Sequence, residues 1–315
     1  MSFGGEWWQG LRRGGTQAAV QAAVTFSHGL GPAAALKLGG ALGSAARWAV
    51  PLRRRLATNL RLAGLEPTTA RLDHYFAHVG KLVGWSLAVH EAGFERSGVA
   101  DLVELDESVS NLDRAVAAGR GVILASPHVF CHEIGAAAIN RRHRVTALVR
   151  ESKSPGRETL KQRWYAATGM ATVHRPRRSS VIGDTLAYLR LLRRGEVLAL
   201  TPDLVVPPSR GVPVVMFDRE VHLMPGMVVL AMRSGAPVVT ATHGDRFSSR
   251  FRIVFSEPTR FEPAADPNQA VQRGMQAWCD WFEVYLRQYP ENWMFWLDKR
   301  WTRVLRTQGR ARQAS

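Results

Sequence analysis

The sequence predicts an α/β fold: a central mixed, mostly parallel sheet flanked by helices, preceded by a helical N-terminal segment. Two observations carry this expectation. From about residue 100 onward, short β-rich apolar runs alternate with helix-patterned stretches. Several of those runs are apolar at consecutive positions, Gly121-Val122-Ile123-Leu124-Ala125 most clearly, as strands covered on both faces require. The composition permits such a fold. With 315 residues, 46% hydrophobic and 22% charged, the chain can bury a large core and is not a disordered polymer.

Taken in order, residues 1–60 form an unusual head. Trp7 and Trp8 precede Arg12 and Arg13, an Ala/Gly-rich helical stretch follows, and then come Trp48 and Arg53-Arg54-Arg55. Aromatics beside arginines on a weakly apolar helix suit an element lying in a membrane interface. A helical hairpin packed on the main domain fits the same residues equally well. From Gly14 to Leu36 there is no Asp, Glu, Lys or Arg, but Gln17, Gln21, His28 and many small residues keep the stretch short of a spanning helix. Residues 68–95 carry Leu72, Phe76, Val79, Leu82, Val83 and Leu87 on one helical stripe. Strands are expected at 122–126, 145–149, 197–201, 212–217, 238–242 and 252–255. Helices are expected at 133–140, 157–168, 180–193, 225–233 and 267–289. The runs at 212–217 and 252–255 follow no helix, which argues for a mixed rather than a purely parallel sheet. Residues 61–305 read as one domain and 306–315 as a basic tail. From Lys299 onward six basic residues and little that could pack suggest a frayed or solvated end.

The chemistry concentrates at Ser126-Pro127-His128-Val129-Phe130-Cys131-His132-Glu133. His128 and Glu133 would splay about 140° apart on one helix. They converge only if His128 sits on the turn leaving a strand and Glu133 lies in the first turn of the next helix. A histidine held by a carboxylate there is a general base in the usual place for an α/β active site. The competing patterns fail. A zincin helix needs histidine at position 136, which is Ala136; there is no Gly-x-Ser-x-Gly elbow, and neither a phosphate-cradling loop nor a Gly-x-Gly-x-x-Gly fingerprint occurs. Two cysteines, Cys131 and Cys279, exclude a disulfide framework and read as small buried hydrophobes.

Further features follow His128-x4-Glu133 in order: Arg150 at a strand end, Thr201-Pro202-Asp203 at another, Met224-Pro225-Gly226 entering a helix, and Tyr289-Pro290-Glu291-Asn292-Trp293-Met294-Phe295-Trp296. As a set these resemble the bacterial late acyltransferases of lipid A biosynthesis and the related phosphatidylinositol mannoside acyltransferases, over roughly residues 50–305. The resemblance implies a single acyltransferase domain with no cofactor and no metal. It implies His128 as the base for an acceptor hydroxyl, Glu133 as the carboxylate orienting it, and Arg150 and Asp203 as substrate-binding residues. The sequence departs from many lipid A enzymes after Asp203, where Val205, Pro207 and Pro208 stand. A distinct N-terminal spanning helix is missing too.

The implied reaction is transfer of a fatty acyl chain from a thioester, on acyl carrier protein or coenzyme A, to a hydroxyl of a lipid or glycolipid. The implied location is peripheral, on the cytoplasmic face of the inner membrane. A net charge of +16 suits an anionic donor and an anionic membrane surface. A nucleic-acid partner is not expected, because the arginines are scattered and no recognised nucleic-acid motif accompanies them. The alternative is a catalytically inactive relative serving as a membrane or carrier-binding module. Phe130, Trp164, Trp293, Phe295 and Trp296 are the residues available to line an acyl groove.

Overall fold

Continuous apolar strands need cover on both faces, and the helices supply it. The computed structural model describes residues 31–46, 48–152, 154–175, 181–244 and 250–307. Three helices come first: α1 (Gly31–Ala46), α2 (Val50–Leu62) and α3 (Thr69–Ala92). The alternating part follows as β1 (Val103–Leu105), α4 (Val109–Ala117), β2 (Val122–Ala125), α5 (His132–Asn140), β3 (Val145–Arg150), α6 (Pro155–Thr168), β4 (Ala171–Arg175), α7 (Val181–Arg193) and β5 (Val197–Leu200). After a hairpin, β6 (Val212–Met216) and β7 (Arg219–Leu223), come α8 (Gly226–Ser234), β8 (Val238–His243), β9 (Phe251–Phe255), α9 (Pro267–Gln288) and α10 (Lys299–Leu305).

The described strands form a seven-stranded sheet in the order β1-β9-β8-β2-β5-β3-β4, and β6 and β7 pair separately. Strands β8, β2, β5, β3 and β4 run parallel, while β8 and β9 are antiparallel. The sheet is therefore mixed and mostly parallel. Strands β2, β5 and β8 are buried along their whole lengths, which is why β2 and β5 read as unbroken apolar runs, while β8 buries Thr240, Thr242 and His243 as well. The steps β2 to β3 and β3 to β4 move one way across the sheet, and β4 to β5 returns. Right-handed crossovers therefore place α5 and α6 on one face and α7 on the other.

Besides the C-terminal helix, four elements escaped the sequence reading: helix α4 and three strands. Strands β1, β4 and β7 are edge or hairpin strands of three to five residues carrying charges, such as Glu104, His174 and Glu220, so their apolar signal is thin. The C-terminal expectation needs correcting as well. Residues 299–305 are not a frayed end: they form α10, capped by Asp298, with Trp301 and Leu305 fully buried. The two aromatic and aliphatic anchors outweigh the basic residues around them.

In the head, α1 lies directly against α3. Gly39 and Gly43 face Gly80 and Gly84, and a Cβ on Gly80 would stand 2.5 Å from the Gly39 carbonyl oxygen and 2.5 Å from the Gly43 Cα. Small residues four apart on both helices let the backbones touch, a contact geometry shared with membrane helix pairs. No helix among the described residues is long and apolar enough to cross a membrane. Trp7, Trp8, Arg12 and Arg13 lie outside the described residues.

This packing sets two glycines of the same pair of helices apart. Gly80→Ala should destabilise the protein by about 2 kcal/mol through overpacking. Gly40→Ala, where a Cβ meets nothing within 4 Å, should stabilise it by about 0.5–1 kcal/mol as helix propensity dictates. Denaturant midpoints of the two variants check the contrast, and equal shifts would contradict the close approach.

Candidate active site

The register of two strands builds the centre of the site. Val122 pairs with Val197 and Ala125 with Leu200, an offset of 75 positions. Both strands then leave the sheet through the same kind of turn, Ser126-Pro127-His128 and Thr201-Pro202-Asp203. The offset continues past the strand ends and sets His128 opposite Asp203. The meeting lies at the carboxyl ends of neighbouring parallel strands whose chains diverge, where α/β folds place ligands.

Asp203 holds His128 twice. Its Oδ1 accepts from the imidazole Nδ1–H at 2.7 Å, and its Oδ2 accepts from the His128 backbone N–H at 2.9 Å. The Trp293 indole donates to the same Oδ2 at 2.9 Å, and the Trp301 indole donates to the Asp203 carbonyl at 3.2 Å. Asp203 is fully buried and His128 is only 2% exposed. Burial pushes the Asp203 carboxyl upward, but the charge of His128 and its hydrogen bonds, with that of Trp293, pull it below the usual carboxylate range. An ionised acceptor on Nδ1 keeps a proton on that nitrogen. Phe295 stacks on the imidazole face at 4.2 Å between centroids.

The closing aromatic segment clamps the backbone of the same turn. The Phe130 N–H donates to the Asn292 carbonyl at 2.9 Å, and the Met294 N–H donates to the His128 carbonyl at 2.9 Å. Trp293 packs edge-on against both Trp296 and Trp301. The aromatics expected to line an acyl groove are thus packed: Phe130, Trp293 and Trp296 are fully buried, and Phe295 and Trp164 nearly so.

Glu133 stands in the first turn of α5, as expected, and is buried. Its Oε1 accepts from the Tyr165 hydroxyl at 2.6 Å. The turn between His128 and Glu133 passes through Cys131, held in the left-handed region at φ 59°. A non-glycine residue there costs about 1–3 kcal/mol, which the surrounding packing sustains. Burial pushes the thiols of both Cys131 and Cys279 upward, so neither is a ready nucleophile. Arg150 ends β3, half-buried, and extending the β3–β5 register sets it level with Pro202. Its carbonyl accepts from the buried Lys161 ammonium at 2.6 Å.

The structure therefore brings His128 and Asp203 into contact and sets Glu133 and Arg150 near the same edge of the sheet. The resemblance gave Glu133 the imidazole and Asp203 the acceptor. The contacts put Asp203 on the imidazole Nδ1 and Glu133 on Tyr165. The sequence held one signal for the pair, the shared hydroxyl-Pro-acid/base exit of two buried strands. Tyr165, Lys161 and Trp301 carried none, because helical side chains reaching across an interface leave no local pattern.

Three further histidines surround the turn. His132 Nδ1–H donates to the Val129 carbonyl at 3.2 Å, His78 Nδ1–H to the Glu291 carbonyl at 3.1 Å, and His243 Nε2–H to the Phe130 carbonyl. Burial pulls His78 and His132 down to about 3, the charge of His128 adding to the second, and burial pulls His243 well down also.

One family model, described as bacterial lipid A biosynthesis acyltransferase, matches residues 12–303. No curated protein shows a significant match to the chain.

The three neutral histidines make stability depend on acid in a defined direction. In the unfolded chain they titrate near 6.5, whereas folded His78 and His132 titrate at about 3. Between those values the unfolded state binds protons that the native state refuses. Stability is fully present above about pH 6.5 and is lost as pH falls, by up to about 1.4 kcal/mol per pH unit for each histidine. Urea midpoints between pH 7.5 and 5 should fall steeply. His78→Asn, which keeps a donor for the Glu291 carbonyl, should make the fall shallower, and a midpoint flat to pH 5 would contradict the burial.

Proposed function

Given that this chain belongs to the bacterial lipid A biosynthesis acyltransferase family, and is therefore an enzyme that transfers acyl groups, we propose that it moves a fatty acyl chain from a thioester to a lipid hydroxyl with His128 as general base. The observation that carries the reading is the buried His128–Asp203 pair, 2.7 Å apart at the mouth of two parallel strands. Asp203 accepts the Nδ1 proton, so Nε2 faces the acceptor as a base. As Nε2 takes the hydroxyl proton, the acceptor oxygen attacks the thioester carbonyl and the C–O bond forms. Asp203 stabilises the imidazolium across a dry contact, where the attraction far exceeds its value in water. The tetrahedral intermediate then collapses, the C–S bond breaks, and the leaving thiolate takes the proton from Nε2. No acyl-enzyme is needed. Glu133, buried in the first turn beyond, adds a second carboxylate to the imidazolium's surroundings. Arg150 serves the developing oxyanion or an acceptor phosphate, a task suited to a planar, permanently charged donor.

The donor is an acyl thioester on acyl carrier protein or coenzyme A, and both are polyanions that a chain of net charge +16 attracts. The acceptor is a lipid or glycolipid, and the enzyme works peripherally on the cytoplasmic face of the membrane. Support for the peripheral site comes from the corner between α1 and α2. Leu42, Trp48, Val50 and Leu52 are 44%, 74%, 53% and 38% exposed there, and the exposed Arg54 follows, while Arg53 pairs with Asp73. An apolar tip beside an exposed arginine matches the depth profile of an anionic interface, tryptophan at headgroup level and guanidinium on phosphate.

Two measurements test the reading. His128→Gln and Asp203→Asn should each lower kcat by at least about 10²-fold, the scale of general-base assistance, with circular dichroism unchanged. The assay follows one added acyl mass on a lipid acceptor, and a His128→Gln enzyme with wild-type turnover would refute the mechanism. Separately, the double variant Trp48→Ser and Leu52→Ser should weaken sedimentation with vesicles containing anionic phospholipid by about tenfold. Its kcat on detergent-dispersed acceptor should stay unchanged; undiminished vesicle binding would remove the corner from the interface.

A further inference from the structure

Helix α6 carries a buried polar face that the mechanism above does not use. Glu158, Lys161 and Tyr165 recur at three- and four-residue steps, so they share one side of the helix. That side points inward: Lys161 is 5% exposed and Tyr165 6%. Lysine almost never goes inside without several oxygens to meet it. Lys161 has them, donating to the Arg150 carbonyl and to Glu158 Oε2, both at 2.6 Å, with Ser152 Oγ at 3.5 Å. Glu158 Oε2 also accepts from the Ser152 N–H at 2.7 Å, so the ion pair fastens both ends of the chain leaving β3. One turn further along α6, the Tyr165 hydroxyl donates to Glu133 Oε1 at 2.6 Å.

A helix docked only for packing would present apolar residues here. Two fixed donors instead reach two different residues near the base: a motif carboxylate on α5 and the backbone of the strand-end arginine on β3. We propose that Lys161 and Tyr165 are positioning residues, Tyr165 fixing the Glu133 carboxylate in the first turn beyond His128 and Lys161 holding Arg150 at the substrate. The assignment rests on the acyl-transfer reading given above. It divides the labour within one helix: the Tyr165 contact acts on the chemical step, and the Lys161 contact acts on substrate binding.

The division predicts opposite kinetic signatures from two residues one turn apart. Tyr165→Phe, which removes one oxygen and keeps the ring, should lower kcat by about tenfold with KM within about twofold. Lys161→Met should raise KM for the acyl thioester or the lipid acceptor by about tenfold with kcat within about twofold, and Lys161→Arg should recover most of that loss. The assay uses the full chain, a palmitoyl thioester and a detergent-dispersed glycolipid, with wild type and His128→Gln in parallel. A helix that merely packs would move kcat and KM together in both variants, alongside the melting temperature. That result, or unchanged kinetics in either variant, overturns the proposal. Absence of transfer by the wild type, or its persistence in His128→Gln, would instead fault the acyl-transfer reading, so the two failures are distinguishable.

Discussion

The carboxylate of Asp203 inside the sheet is the constraint on which the rest depends. An isolated ionised carboxylate in a dry interior costs several kcal/mol, and it is tolerated only when its oxygens are met by donors. The donors come from three separate parts of the chain: the imidazole and backbone of His128 after β2, the Trp293 indole in the closing segment, and, on the Asp203 carbonyl, the Trp301 indole of α10. Each must be delivered to within about 3 Å. The parallel register of β2 and β5 delivers the first, and the antiparallel clasp of 128–130 on 292–294 delivers the second. The last helix delivers the third. What looks like an aromatic end-piece is the wall that makes the charge affordable and holds the imidazole in place.

This explains which parts of the molecule were legible in the sequence. Strands β2 and β5 announce themselves because burial on both faces leaves no polar position. The mixed character of the sheet was also readable, since residues 252–255 follow 238–242 without a helix between them. His128 and Asp203 were each identifiable as strand-end residues. Their partnership was not read, because it depends on which strands are neighbours. Parallel neighbours are distant in sequence, and only the shared Ser/Thr-Pro-x exit hinted that these two belong side by side. Trp301 was misread for the opposite reason: a short helix dense in arginine and lysine resembles a solvated end until its anchors are seen to face inward.

Glu133 illustrates a limit of motif reasoning. Spacing places it one turn into α5, and the structure keeps it there, but spacing cannot say what the carboxylate touches. The side chain that reaches it, Tyr165, arrives from α6, 32 positions later in the chain. The same helix brings Lys161 to the end of β3. Interfaces between helices on one sheet face are fixed by crossover handedness and side-chain length, neither of which leaves a periodic trace.

The histidines show how such a site keeps a single protonation pattern. Each ring nitrogen seen on a carbonyl or carboxylate must carry the proton, because those oxygens can only accept. His132 and His78 are therefore Nδ1–H tautomers and His243 is the Nε2–H tautomer, all three neutral by burial. His128 differs in one respect: its acceptor is a charge rather than a dipole. A carbonyl fixes a tautomer but does little for an imidazolium, whereas Asp203 does both. Among the four histidines of this buried cluster, His128 is the one whose Nδ1 partner is a carboxylate. The other three, kept neutral beside it, hold the turn still without competing for the proton. The role proposed for His128 thus rests on the partner its ring is given, and that partner is set by the register of two strands.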